Sequence, residues 1–236
     1  MQTALPLRCV ITGAASGIGL ALAERLLAAG WQVTGVDRQP SPVAHPAYRE
    51  LVADLATPAG ARSALAALDG DGTTAFVHAA GVVRSGGLGD SDLHDADAMW
   101  HLHAIAPLVL LGGLTPSMPD GRGRIVLVSS RAVLGRAKRA AYASSKAAQI
   151  GLARSLAAEL VGRGITVNVV APGATDTPML RDPQRGEPPR VELPIGRLVR
   201  ADEVAASIAF LIGEDAGAIT GQTLYVCGGA SLGAQT

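Results

Sequence analysis

The feature that most restricts the fold is a set of short strands with no polar face. Ile125-Val-Leu-Val128 is apolar at every position. A strand of this kind must be covered on both sides, as in a parallel sheet clad by helices. Such runs alternate with helix-length Ala/Leu-rich segments. Strands are predicted at Arg8–Thr12, Gln32–Asp37, Ala75–Ala79, Ile125–Ser129, Thr166–Val170 and Thr223–Val226. Helices are predicted at Ile18–Ala29, Pro58–Leu68, Leu93–Leu114, Tyr142–Arg163 and Ala201–Ile212. Gly30 and Gly164 stop two of the helices, and Asp202 stands near the start of the last. Repeated strand–helix–strand units give an α/β fold, a Rossmann-like doubly wound parallel sheet with helices on both faces. No linker divides the 236 residues, so a single domain is expected over 1–236. The proline-rich stretch Pro178–Pro194 is expected to be a substrate lid.

Composition removes several function classes. Formal charge is zero, and two Trp, three Tyr and two Phe are spread along the chain. A nucleic-acid binder needs a basic face and stacking aromatics, so none is expected as a partner. No apolar run approaches the roughly 18 residues of a membrane helix, and Met1–Leu7 lacks the pattern of an export signal. Cys9 and Cys227 show neither metal spacing nor a disulfide framework. A cytoplasmic protein without a metal is the expectation.

The turn Thr12-Gly-Ala-Ala-Ser-Gly-Ile-Gly19 lies between the first strand and the first helix. A pyrophosphate has to approach main-chain N–H groups and the positive end of a helix, and a Cβ there holds it off. Gly13 permits the sharp turn, Gly17 the close approach, and Gly19 the packing of helix on sheet; Ser16 and Ile18 stand between them. Asp37 closes the second strand 18 residues beyond Gly19, near the spacing at which a carboxylate accepts from the adenosine ribose hydroxyls. That carboxylate repels a 2′-phosphate and favours NAD. Arg38 beside it pulls the other way and keeps NADP possible. Asp54-Leu55 follows a third strand region; Asp54 either bonds the adenine amine or caps the next helix.

Tyr142-Ala-Ser-Ser-Lys146 puts a phenol and an ammonium four residues apart on one helical face. A free phenol, with pKa near 10, is a poor base at neutral pH, and a nearby cation lowers that value. Lys138 and Lys146 are the only lysines among 20 basic residues. Ser130 ends an apolar strand at the carboxyl edge, where such sheets bind ligands; its hydroxyl is placed to donate to a substrate carbonyl.

On these residues, together with His78-Ala-Ala-Gly81, Asn168–Gly173 and Gly221–Gly229, the sequence resembles the short-chain dehydrogenases/reductases. The likeness is to the small single-domain kind that includes 3-oxoacyl-carrier-protein reductases, from Thr12 to Gly229. The resemblance implies NAD(P) as hydride carrier and interconversion of a secondary alcohol and a ketone. It makes Ser130 the polarising serine, Tyr142 the acid/base, and Lys146 the residue that lowers its pKa and binds the nicotinamide ribose. Ala79, Ala80 and Gly81 fall in its cofactor-binding segment; Pro172, Gly173, Thr175 and Thr177 match the segment holding the nicotinamide carboxamide. It also implies a homotetramer formed through long helices. Two departures stand out: His78 replaces an asparagine, and Cys227 stands where aspartate is common, read as a buried small apolar residue. A further family asparagine falls 24 residues past Ala79, at His103, with His101 the alternative if the register slips. His103 either relays protons, its unperturbed pKa being near 6.5, or fills the place without chemistry. Alternatives to an NAD-linked dehydrogenase are an NADPH-dependent 3-oxoacyl reductase using Arg38 and a non-catalytic dinucleotide-binding regulator. Arg131, Arg136 and Arg139 either favour an acidic substrate or are solvated surface.

Overall fold

The computed structural model describes residues 7–68, 72–185 and 193–232. Seven parallel strands form one sheet: β1 (Arg8–Thr12), β2 (Gln32–Asp37), β3 (Tyr48–Val52), β4 (Ala75–His78), β5 (Arg124–Val128), β6 (Thr166–Pro172) and β9 (Thr223–Val226), in the order β3-β2-β1-β4-β5-β6-β9. A small pair, β7 (Thr175–Asp176) and β8 (Val199–Arg200), stands apart. The helices are α1 (Gly17–Ala28), α2 (Pro58–Ala67), α3 (Leu93–Trp100), α4 (Ala106–Leu114), α5 (Ala140–Leu160) and α6 (Ala201–Leu211). The doubly wound expectation is therefore met.

Strand periodicity explains the two cores. Along β5, Val126 and Val128 enter a cluster with Leu22, Leu26, Val204 and Ile208 of α1 and α6. Ile125 and Leu127 enter the opposite cluster with Leu110, Leu114, Ala153 and Ala157 of α4 and α5. Ile125–Val128 are all buried because each points into one of two apolar layers. β1 and β4 do the same, Ile11 and Val77 to one side, Val10 and Phe76 to the other.

Two differences from the sequence expectation have physical causes. The sequence marks β3 only as a strand region before Asp54, because this edge strand leaves its residues at least partly exposed and carries no apolar run. The expected single helix Leu93–Leu114 is interrupted: His101–Ile105 forms a wider π-type turn, with the Ala106 N–H bonded back to the His101 carbonyl. Stacked end to end, these pieces and the following short turn make the stretch Leu93–Ser117, long and apolar enough by length and composition to cross a membrane. This amends the expectation that nothing nears that length, although Leu110, Leu111 and Leu114 are buried against the sheet.

The sheet order reverses between β1 and β4, which pair with Thr12 beside His78. Open α/β sheets bind ligands at the carboxyl ends of the strands flanking such a reversal. At the opposite edge, buried Arg124 ties loops together: its Nη1 donates to the carbonyls of Gly123 at 2.9 Å and Gly121 at 3.3 Å, and its Nε to that of Gly213 at 3.3 Å. Replacing it by methionine keeps the stem and strands these carbonyls. Arg124→Met is expected to lower the unfolding free energy by about 2–3 kcal/mol in urea melts, with the carboxyl ends of the strands unaffected.

Candidate active site

A cavity of about 600 Å³ opens at the carboxyl ends of β1, β4, β5 and β6. Its first wall is the glycine turn. Gly13 has φ +72°, and a Cβ there would lie 2.7 Å from the Ala80 backbone; one on Gly19 would lie 2.1 Å from the Gly13 carbonyl oxygen. Neither clash can relax, since the obstacle is main chain in both cases. Ser16, at the start of α1, makes no side-chain cap. The first N–H groups of the helix, at Gly17, Ile18 and Gly19, therefore face the cavity without an intrahelical acceptor. An anion suits this end of a helix.

Asp37 closes β2 on the same wall. Its carboxylate accepts from the Ala15 N–H at 3.0 Å and the Gln39 N–H at 3.1 Å. Arg38, Asp54 and Leu55 line the cavity beside it. Asp54 accepts from the Ala56 N–H at 3.0 Å, while Thr57 caps α2 by accepting from Gly60 at 3.0 Å. The cap is thus Thr57, and Asp54 shapes the turn before it. A cleft with no room for a Cβ, an uncapped helix start and a carboxylate beyond them fit a dinucleotide.

The second wall carries the polar cluster. Ser130 starts a short 3₁₀ turn, its Oγ accepting from the Ala132 N–H at 3.1 Å. Tyr142 lies in the first turn of α5 and Lys146 one turn on; both are buried and both line the cavity with Ser130. The Lys146 ammonium donates to the Val128 carbonyl at 2.8 Å, and the Ser129 hydroxyl donates to the Lys146 carbonyl at 2.8 Å. Burial pulls the Lys146 amine down to about 7, because charge is disfavoured away from water. Ala79, Ala80 and Gly81 run between the two walls. A Cβ on Gly81 would crowd the Lys146 Nζ at 3.2 Å and His103 Nε2 at 3.3 Å.

Pro172 and Gly173, at the end of β6, form the floor with Thr175 and Thr177. Gly173 packs on Cys227, whose Cα would be 2.9 Å from an added Cβ. Cys227 is buried with its Sγ 3.2 Å from Ser231 Oγ, as a small filler. Of the proposed lid, Pro178, Met179 and Asp182 line the cavity and short 3₁₀ turns cover Pro178–Arg181 and Pro183–Arg185. Residues 186–192, with Glu187, Arg190 and Glu192, lie outside the described residues. Among the described residues no group of three or more metal-ligating side chains occurs.

The structure thus brings together every expected site residue except one. His103 is fully buried off the cavity wall, with both ring nitrogens engaged: Val82 N–H at 3.1 Å and Ser145 Oγ at 2.9 Å. Burial, Lys146 and His78 hold its pKa well below the ordinary value. Sequence reasoning missed Arg84, which pairs with Asp95 at 3.5 Å and with Asp182 at 3.4 Å across the mouth of the cavity. Nothing local marks it, since its partners come from α3 and from Asp182, far along the chain. Arg139 is buried and donates to Ser85 Oγ at 2.5 Å, so it is not solvated surface, whereas Arg136 is exposed.

Comparison with known proteins agrees with this geometry. A family model described as Enoyl-(Acyl carrier protein) reductase matches residues 13–231. The chain is similar to the 3-oxoacyl-[acyl-carrier-protein] reductase FabG of Salmonella typhimurium, at 34% identity over 93% of this chain and 95% of that protein. It is also similar to the 2,3-dihydro-2,3-dihydroxybenzoate dehydrogenase of Escherichia coli, at 35% identity over 95% of this chain and 96% of the relative. Among solved structures, it resembles a blue fluorescent protein from a metagenomic library in complex with NADPH. That likeness has a TM-score of 0.81 and 32% identity, and covers 96% of this chain and 99% of the other. The chain belongs to the short-chain dehydrogenase/reductase family, the NAD(P)-dependent oxidoreductases acting on CH–OH groups.

Proposed function

We propose that Ser130, Tyr142 and Lys146 carry the alcohol–ketone chemistry of this enzyme and that it prefers NAD. The observation behind the first claim is that a serine, a phenol and a buried ammonium line one cavity beside the glycine turn. The bound nicotinamide supplies or accepts the hydride. Ser130 donates a hydrogen bond to the substrate oxygen and keeps its proton; its Oγ accepts from the Ala132 N–H. Tyr142 gives its proton to the developing alkoxide in reduction and removes it from the alcohol in oxidation. Lys146 stabilises the phenolate by charge in a site shielded from water. Pairing with phenolate in turn favours the charged amine, against the effect of burial.

Asp37 supports the NAD preference: a carboxylate fixed by two main-chain N–H groups cannot swing away from a 2′-phosphate. Likeness to FabG and to an NADPH-bound structure, with Arg38 on the same wall, supports the second reading, an NADPH-dependent 3-oxoacyl reductase. The substrate is a small molecule covered by the segment that begins at Pro178. We place the enzyme in the cytoplasm and expect a homotetramer, a reading supported by Trp100 and Leu108 exposed on α3 and α4 and Val161 just after α5.

Three experiments test these roles. Tyr142→Phe should reduce turnover by at least about a thousandfold while the dinucleotide still binds, measured by fluorescence titration; equal loss of both would make the tyrosine structural. Asp37→Ala should shift the ratio of kcat/KM for NAD over NADP by roughly a hundredfold toward NADP, two lost or gained charge contacts being worth about 3 kcal/mol; an unchanged ratio would favour the NADPH reading. Lys146→Met separates function from stability. Without the cation the phenol returns toward its ordinary value, so the acid limb of alcohol oxidation, where the rate climbs as the phenol loses its proton, should move up by about two pH units. Stability should move the other way. The folded amine, near 7, binds its proton less readily than the unfolded one, near 10.5, so wild-type stability rises with pH through that window. At pH 7 and below the buried ammonium is a cost, and Lys146→Met should there melt at a higher temperature than the wild type.

A further inference from the structure

Two histidines lie behind the cavity, and their hydrogen bonds fix opposite tautomers. His103 Nε2 faces the Val82 N–H at 3.1 Å and must accept. Its Nδ1 lies 2.9 Å from Ser145 Oγ, and that hydroxyl donates to the Tyr142 carbonyl at 2.9 Å, so Nδ1 carries the proton. His78 is the reverse. Its Nε2 donates to the Leu102 carbonyl at 2.9 Å, and Nδ1 accepts from Thr12 Oγ1 at 2.8 Å, which in turn accepts from the Ala80 N–H at 3.2 Å. The π-type turn makes both bonds available. Pro107 has no N–H to offer the carbonyls one turn back, so Leu102 is served by His78 and His103 by Gln149 Nε2 at 3.0 Å. The His103 ring also meets the Tyr142 ring edge-on, at 5.8 Å between centroids and 81°.

We propose that His103 is a positioning residue for Tyr142, seating the first turns of α5 against the loop after β4, and that it does not carry protons. The inference rests on the reading of Tyr142 as the acid/base. Proton carriage through Nε2 would set a new N–H against the Val82 N–H. Carriage through Nδ1 would break the bond that holds Ser145, and through it the Tyr142 backbone. The unbroken line from Thr12 through His78 to Leu102, and from its neighbour His103 through Ser145 to Tyr142, ties the cofactor turn to the acid/base helix. His78 shares the positioning task on the β1–β4 side.

The test has one arm independent of activity. With five histidines in the chain, two-bond ¹H–¹⁵N spectra of the wild type, assigned with single variants, report each tautomer. His103 is expected as the Nδ1–H form and His78 as the Nε2–H form, both neutral from about pH 5 to pH 8. A His103 that titrates in this range, or that holds its proton on Nε2, overturns the proposal. In the kinetic arm, His103→Leu should lose roughly tenfold to a hundredfold in kcat with KM for the dinucleotide little changed. His103→Asn, which cannot titrate but keeps a donor near Ser145, should recover most of that loss. His103→Gln, which reaches Val82 instead, should recover less. Wild-type turnover in His103→Leu, or equal loss in the leucine and asparagine variants, overturns the proposal. Thermal melts identify any variant that fails to fold, and the wild-type spectra then decide alone. Activity surviving in Tyr142→Phe would sink the catalytic reading while leaving the tautomers as they are.

Discussion

Main chain meets main chain where the glycine turn crosses the loop after β4, and the rest of the site is arranged around that contact. The 2.7 Å from a notional Gly13 Cβ to the Ala80 backbone means that β1 and β4 deliver their loops into the same space. Any side chain at residue 13 would part them. The sheet reversal makes this crossing possible, because only at that point do the connections from two neighbouring strands leave toward opposite faces. The open N–H groups of α1 then look into the cleft, and the 79–82 loop is left to border Lys146 and His103. A single packing constraint thus sets the distance from the phosphate end of the cavity to its reactive end.

The reactive end is an unstable place to keep a charge. Lys146 is almost entirely buried, and the described side chains at the site offer it no carboxylate; its bond runs to a neutral carbonyl. A charge in such a position costs free energy that a surface lysine would not. The cost is acceptable because α5 is anchored elsewhere: Ala153 and Ala157 pack into the cluster of Ile125 and Leu127, and Ser129 fixes the Lys146 carbonyl. The other lysine, Lys138, sits exposed in a turn at φ +57° and bears no such burden. Of the two lysines in an arginine-rich chain, Lys146 is the one buried on the cavity wall.

Much of the fold could be read from the sequence because burial on both faces leaves a signal in every residue of a strand, as in β5. What escaped reading was structure made by partners distant in the chain. β3 carries little apolar pattern and exists because it pairs with β2. The π-type turn leaves the hydrophobic period intact, and only Pro107 hinted at a break. At the site, spacing revealed the phenol, the amine and the glycines, since their chemistry depends on local geometry. Position alone also led to His103, but whether it relays or supports depended on Val82 and Ser145, which reach it from two other elements. Arg84 had no signal at all.

Arg84 ties the segment that begins at Pro178 to α3 by weak links. Its guanidinium holds Asp95 of α3 and Asp182, which follows the turn Pro178–Arg181, but by single contacts of 3.5 and 3.4 Å rather than a paired fork. Both carboxylates remain partly open to water, Asp95 by 40% and Asp182 by 32%, so each pair contributes on the order of 1 kcal/mol or less. Links of that size cost little to break. The wall that carries Tyr142 and Lys146, by contrast, is joined by buried hydrogen bonds from Thr12 to Tyr142, whose rupture would leave polar groups unsatisfied in the core. Rigidity on one side of the cavity and weak tethering on the other follow from where each set of polar contacts sits relative to water.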